Sequence, residues 1–245
     1  ERCVEYLPIA EFEKGEDFLT FATAQGKVKR SSLKLYQNVN KSGLIAINLN
    51  ENDELVGVAC TSGHDHLLLA AASGMAIRFE EGDARAMGRS SAGVKGIDLA
   101  PSDEVVGLVK IQMHDADDPT SNVREGVDLL TVTEHGYGKR TDLKEYLVAS
   151  EADDGSVSYR TQSRGGKGRI DIKTTARNGK VVAVRPVVDG EDVVFVTSSG
   201  MIVRVESEEI RRVGRNTAGV RVVNLKSDDR LVGAAVTQRE DSETA

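Results

Sequence analysis

The chain has 245 residues, 39% of them hydrophobic, and carries 32 Lys and Arg against 39 Asp and Glu, for a formal net charge of −7. That length and apolar content supply a genuine core and exclude a disordered polar chain, while the acidic balance argues against a uniformly basic nucleic-acid binder without saying where the cations sit. No apolar run approaches the roughly 18 residues of a membrane-spanning helix, the first residues lack the order of a signal peptide, and Cys3 and Cys60 are too few and too far apart for a disulfide framework or a structural zinc site, so a cytoplasmic protein with reduced thiols is expected.

Taken in chain order, the segments repeat. CVEYLPIAEF reads as the closing strand of a unit that begins before Glu1, so the chain is expected to be a piece of a longer protein. Residues 15–62 then open with GEDFLTFAT at Gly15 and Asp17, turn at Gly26 in TAQGKVKR, restart at Gly43 in SGLIAINL and close with DELVGVAC. Residues 63–125 repeat this with Gly63 and Asp65, Gly74, Gly93 and DEVVGLVK. Residues 126–189 do so with Gly126 and Asp128, Gly136, Gly168 and GKVVAVRP, and residues 190–237 with Gly190 and Asp192, Gly200, Gly219 and DRLVGAAV. An apolar run, a glycine turn and a second run spell a β-hairpin, and each repeat adds two further short strands.

Val, Ile, Thr and Leu in short runs, only four prolines and little helical spacing point to an all-β fold. Four strands per repeat suit a β-pinwheel, a propeller-like array of four-stranded blades in one domain, with about four complete blades plus a partial one. The third repeat is longer between its turn glycine and Gly168, and its excess, ASEADDGSVS, is expected as a surface loop. MHDADDPTSN is a second acidic insert, and residues 238–245 form an acidic tail expected to be disordered.

Four residues past each turn glycine stands an arginine: Arg30, Arg78, Arg140 and Arg204, preceded by Lys29 and Lys139 in the first and third repeats. Another cation stands four residues before the restarting glycine at Arg89, Arg164 and Arg215, where the first repeat has Val39. Equivalent positions in a radial array form a band on its perimeter, and spaced cations are what a bent polyanion such as duplex DNA requires. In Gln162-Ser163-Arg164-Gly165-Gly166-Lys167-Gly168 the glycines would let backbone amides approach a phosphate while Arg164 and Lys167 supply charge. A protein-binding propeller would instead predict an aromatic or apolar rim, and only 4% of residues are aromatic.

Other chemistries are excluded. His64, Asp65 and His66 do not make a metal site, because the other repeats lack histidine there. The GGKG run has neither the upstream glycine nor the Ser or Thr after its lysine that a nucleotide-binding loop requires. Asp17, Asp65, Asp128 and Asp192 recur as turn-forming acids rather than as a catalytic group. No nucleophilic triad can be assembled, so no catalytic residue and no cofactor are expected.

GYGKRTDLKEY, RAMGRSSAGVKGIDL and RVGRNTAGVRVVNL, together with QSRGGKG, resemble the C-terminal domain of the A subunit of bacterial DNA gyrase, over essentially the whole chain. The resemblance implies a β-pinwheel that wraps duplex DNA around a basic rim, so that ATP-driven strand passage by the parent topoisomerase introduces negative supercoils. It implies the N-terminal cleavage region of the same polypeptide, which carries the attacking tyrosine, and the gyrase B subunit as partners, no membrane, and a nucleoid-associated location in the cytoplasm. In such A subunits a box reading QRRGGKG lies in the first blade. QSRGGKG departs from it at Ser163 and sits in the third repeat, so it reads as a secondary copy. The equivalent domain of topoisomerase IV, which senses DNA geometry, is the nearest alternative.

Overall fold

The structure is a computed structural model that describes residues 4–9, 12, 17–122 and 124–239. Cys3, Gly15 and residues 240–245 of the expected tail lie outside the described residues. The chain divides into two compact units, the first of residues 1–71, 76–123 and 146–169, the second of residues 72–75, 124–145 and 170–245.

The strands follow the repeats closely. The first repeat supplies β1 (Phe18–Thr23), β2 (Lys27–Ser32) and β3 (Leu55–Thr61), and the second β4 (His66–Ala71), β5 (Met75–Glu80), β6 (Val94–Lys95) and β7 (Val105–Ile111). From the third come β8 (Asp128–Thr133), β9 (Tyr137–Asp142), β10 (Val148–Glu151), β11 (Val157–Arg160), β12 (Arg169–Ile170) and β13 (Val181–Val187), and from the fourth β14 (Glu191–Thr197), β15 (Ile202–Glu206), β16 (Val220–Arg221) and β17 (Leu231–Gln238). Among the described residues the only helical elements are four short 3-10 turns. The fold is all-β.

The pairing order differs from one blade per repeat. The sheets run β3-β1-β2-β6, β12-β5-β4-β7, β13-β8-β9-β16 and β15-β14-β17. Each repeat therefore keeps its hairpin and closing strand and lends the short strand after its restarting glycine to the hairpin of the repeat before. Three sheets reach four strands, and the fourth stops at three, with β15 at its edge. The expected strand SGLIAINL of the first repeat is correspondingly unformed: residues 43–49 join no sheet among the described residues, with Ile45 70% exposed. Residues 4–9 are not a strand either, although Leu7 and Ile9 pack against the first core.

One hydrogen-bond motif fixes each lent strand. The carbonyl of Gly26 accepts from the amides of Gly96 at 2.7 Å and Ile97 at 3.2 Å. Gly74 does the same for Asp171 and Ile172, at 2.8 and 3.2 Å, and Gly136 for Val222 and Val223, at 2.8 and 3.2 Å. A turn carbonyl pointing off the hairpin end would otherwise be an unmet acceptor in a packed region. Each closing strand also breaks register once at the same place, opposite Ala22/Thr23, Ala70/Ala71, the Val181/Ala183 step and Val196/Thr197. Those bulges bend the sheets alike.

The cores form where apolar faces of successive sheets meet within a unit. In the first unit Leu67, Leu69, Ile77 and Phe79 pack with Ala22, Val28 and Ile97, and in the second Leu130 and Val132 pack with Val193, Phe195 and Leu231. ASEADDGSVS, expected as a loop, is instead most of an exposed hairpin in which β10 pairs with β11 from Val148↔Arg160 to Glu151↔Val157.

Gly168 shows what the lent strand requires. Its φ is +76°, and a Cβ there would stand 2.4 Å from the carbonyl oxygen of Ala76, so alanine meets both left-handed strain and backbone. Gly43, the same repeat position without a hairpin to join, has φ +79° and open space around its missing Cβ. Urea unfolding should therefore show Gly168→Ala losing roughly 3 kcal/mol or more and Gly43→Ala about 1 kcal/mol. Equal losses would mean that the first repeat's segment is packed like the others.

Candidate nucleic-acid interface

The repeated hairpin cations do not form an exposed band, which corrects the expectation for most of them. Arg78 and Lys139 are fully buried, as is Lys29, and Arg140 is 7% exposed. Lys29 Nζ donates to the carbonyls of Ala46, at 2.5 Å, and Arg89, while Lys139 Nζ donates to those of Asp171, at 2.7 Å, and Gly214, at 3.1 Å. Arg30 Nε reaches the Ala84 carbonyl at 3.0 Å, its guanidinium lies 4.3 Å from the Phe18 ring centroid, and Arg140 Nε reaches the Ile210 carbonyl at 2.9 Å. Lys29 and Lys139 thereby tie their own repeat's restarting segment, at Ala46 and Asp171, to the connection of the following repeat, while Arg30 and Arg140 hold that following connection against the hairpin. Arg204 stays exposed and bonds Asp192 Oδ2 at 2.5 Å.

The inward turn has a counterion. Arg140 pairs with Asp128 at 3.9 Å as well as with Asp189, and Arg30 with Glu81 at 3.4 Å. In the third and fourth repeats the acid read as turn-forming is thus also the arginine's partner. Twelve residues separate Asp128 from Arg140 and Asp192 from Arg204, across one hairpin turn. Opposite charges at a fixed offset on antiparallel neighbours were the sequence signal that these arginines are paired within the fold. In the second repeat Arg78 takes His66 instead, with Nη2 3.0 Å from its Nδ1, and also bonds the Pro119 carbonyl at 2.9 Å and Asn122 at 3.3 Å. That anchors the MHDADDPTSN excursion to β5.

Burial tunes these groups. Lys29 has its pKa lowered to about 8 by desolvation, with Arg89 nearby adding repulsion. Lys139 is also lowered by burial, against the pull of Asp171, and Asp128 is raised by burial against the attraction of Arg212 and Arg140. Such interior pairs are costly to break, typically about 3–5 kcal/mol when one partner is removed.

The connections hold the accessible charge. Arg89, Arg164 and Arg215 are half-buried, and Lys167 is exposed. Arg164 donates through Nε to the Asp83 carbonyl at 2.9 Å and through Nη1 to that of Lys95, and Arg215 donates through Nη1 to the Ile170 carbonyl at 3.0 Å while its Nε lies 3.7 Å from Glu145. Lys95 and Ile170 occupy the same place two residues past their restarting glycines, so both arginines dock at one repeated backbone site. Both side chains remain half-buried, and Arg215 Nε is itself buried without a hydrogen-bond partner.

The glycines of the box-like loop serve the fold rather than a ligand. Gly165 N–H donates to the Gly96 carbonyl at 2.7 Å, and Gly166 N–H points back to Ser163 O at 3.4 Å while its own carbonyl accepts from Asp98 N–H at 2.9 Å. The Gly165 and Gly166 amides expected to face a phosphate are committed internally, and Lys167 is the loop's exposed charge. Gln162 bonds the Tyr146 carbonyl through Nε2 at 3.2 Å and, through its N–H, that of Arg78 at 3.0 Å. Sequence reasoning missed Arg177 and Arg221, exposed cations beside Tyr137 in the second unit.

His66 gives a measurable consequence. Desolvation, followed by repulsion from Arg78, lowers its pKa to about 4 from the ordinary 6.5. Below pH 6.5 the unfolded chain takes up a proton that the folded chain refuses, so stability is full above that pH and falls as pH drops toward 4. The loss should approach about 3 kcal/mol in unfolding free energy between about pH 7 and pH 4. His66→Asn should start less stable and lack this component, and an identical pH profile for both proteins would contradict the assignment.

A family model described as the DNA gyrase C-terminal domain, β-propeller, matches residues 17–62, 65–112, 128–150, 157–187 and 191–238. The DNA gyrase A subunit of Salmonella typhimurium is 40% identical over 233 residues, covering 95% of this chain and 24% of the relative, so the chain spans about a quarter of the length of that relative. Among solved structures, the C-terminal domain of DNA topoisomerase IV superposes with a TM-score of 0.80 at 23% identity, covering 96% of this chain and 66% of that one. A DNA gyrase A C-terminal domain gives a TM-score of 0.72 at 23% identity, covering 91% and 66%. With all four repeats matched in register and the strand pairing seen above, the chain belongs to the DNA gyrase C-terminal domain, β-propeller, family.

Proposed function

We propose that this chain binds duplex DNA and bends it, as the DNA-wrapping part of the A subunit of a type IIA topoisomerase. The observation that carries the reading is the division of the cations: the hairpin set is spent inside the fold, whereas the connections bring Arg89, Arg164, Lys167 and Arg215 to the surface at repeat-related places. Arginines whose inner edges are fixed on backbone carbonyls are ordered before DNA arrives, so less side-chain entropy is lost on binding. Contacts of this kind neutralise phosphates and release counterions without reading bases. Arg204, exposed on β15, extends the set. The hairpin cations Lys29, Arg30, Lys139 and Arg140 support this surface by holding the connections in place, while Arg78 anchors the acidic insert.

In the parent protein the wrap would present a neighbouring DNA segment to the cleavage region, and strand passage driven by the ATP-hydrolysing B subunit would yield negative supercoils. The chain's own part is mechanical and uses no cofactor. Identity of 40% with gyrase A subunits favours gyrase over topoisomerase IV, whose structural likeness bears on the fold alone. Binding to linear duplexes of about 40 to 150 base pairs should tighten with length and weaken steeply with salt. Ligating nicked circles with the protein bound should trap a linking difference of one sign. No length or salt dependence would refute DNA binding, and binding without a linking difference would refute wrapping.

A further inference from the structure

Two arginines outside the repeated set share one phenol. Tyr137 opens β9 and is 5% exposed, and the register of β16 on β9 sets Arg221 directly opposite it. Arg221 Nη2 donates to the Tyr137 hydroxyl at 3.2 Å, Arg177 Nε donates to the same oxygen at 2.8 Å, and the two guanidinium carbons lie 5.5 and 5.2 Å from the ring centroid. The two donating nitrogens are therefore no farther apart than about 6 Å, the sum of those two bond lengths. Both arginines are exposed, and among the described residues neither has a carboxylate partner within ion-pair distance.

Arg177 is not placed by chance. It lies on a tight turn organised by the buried Asn178, whose Oδ1 accepts from Thr175 N at 2.7 Å and Thr175 Oγ1 at 2.9 Å, while Nδ2 donates to the carbonyls of Lys173 at 2.8 Å and Ala218 at 3.1 Å. The Arg177 carbonyl is a further fixed point, 3.3 Å from His135 Nδ1. Two like charges are thus brought together on a neutral hydroxyl by a tight turn and a strand register, and among the described residues no carboxylate pairs with either of them. That is the arrangement of a site completed by an external anion. In keeping with it, the bonds from Arg221 and Arg177 hold the Tyr137 pKa below its ordinary value. The same cross-strand position in the first sheet is also cationic, with Lys27 opposite Lys95.

We propose that Arg177 and Arg221, ordered by Tyr137, clamp one backbone phosphate of bound duplex DNA. A phosphodiester fits because its non-bridging oxygens accept from two guanidinium groups at once, and such charge-assisted bonds are strongest where the donors are already oriented. Tyr137 is a positioning residue, since its hydroxyl is the common acceptor that sets the spacing. The clamp rests on the DNA-binding reading above and adds a specific phosphate contact to it.

The test measures duplex binding across a salt series for the unaltered chain, for Arg177→Gln/Arg221→Gln, and for a control of equal charge change on the closing strands, Lys110→Gln/Arg185→Gln. Loss of the clamp should weaken binding about tenfold or more at low salt and reduce the slope of log affinity against log salt by about 1, while the control shifts both much less. Tyr137→Phe should fall between, and the 13C shift of the Tyr137 ring carbon bearing the hydroxyl should move when DNA is added to the unaltered chain. If the clamp variant, shown folded by circular dichroism, binds like the control, or if the Tyr137 signal stays fixed under saturating DNA, the clamp is refuted and the broader reading stands. If the unaltered chain does not bind duplex at all, both fall.

Discussion

The bond on which this architecture depends runs from a hairpin cation to backbone carbonyls of the segments packed against it, those of its own repeat as well as those of the following connection. Lys29 reaches Ala46 and Arg89, Lys139 reaches Asp171 and Gly214, Arg30 reaches Ala84, and Arg140 reaches Ile210. A short lent strand such as Val94–Lys95 has too few ladder bonds to stay paired by itself, since two residues fixed in place lose more chain entropy than a couple of net hydrogen bonds return. A buried ammonium or guanidinium that donates to the carbonyls flanking the strand raises the cost of peeling it away, because the departing chain would leave an unpaired charge in the interior. Glycine turn, lent strand and staple therefore act together, and the repeat is stable only with a neighbour.

That dependence explains how the first and fourth repeats differ from the others. Among the described residues no lent strand joins the fourth repeat's hairpin: Arg204 is half-exposed, Gly200 has open space where Gly74 and Gly136 face a neighbouring carbonyl, and Ile202 is 67% exposed. The first repeat's segment around Ile45 is the opposite case, a lending segment with no hairpin among the described residues to join. The same logic divides the charge. Lys29, Arg30, Arg78, Lys139 and Arg140 are spent on bonds inside the fold, so the charge left for a polyanion lies on the connections and, at Arg204 and Arg221, on β15 and β16.

Hairpin positions and the all-β class were legible because runs of β-branched residues around glycine turns repeat with little variation, whereas the strand count was not: SGLIAINL forms no strand and ASEADDGSVS forms most of a hairpin. The lending was not legible, because AGVKGIDL and AGVRVVNL look the same whichever hairpin they join, and no local pattern records a pairing between repeats. The site residues show a sharper version of this limit. Arg78 and Arg215 are both repeated and both basic, yet one is buried against His66 and the other lies half-exposed beside Glu145. Only the offset of twelve between Asp128 and Arg140 hinted at the difference. Arg177 could not be found by repetition, because its placement depends on the Tyr137 hydroxyl, and the residue after the turn glycine is Lys27, Met75 or Met201 in the other repeats.

Native-state hydrogen exchange read residue by residue tests the lending most directly. The account predicts strong protection for the amides of Gly96, Ile97, Asp171, Ile172, Val222 and Val223, each bonded to a turn-glycine carbonyl, and rapid exchange for Ala46 and Ile47, which hold the equivalent place in the first repeat. Equal protection in the first repeat, or rapid exchange in the other three, would contradict it.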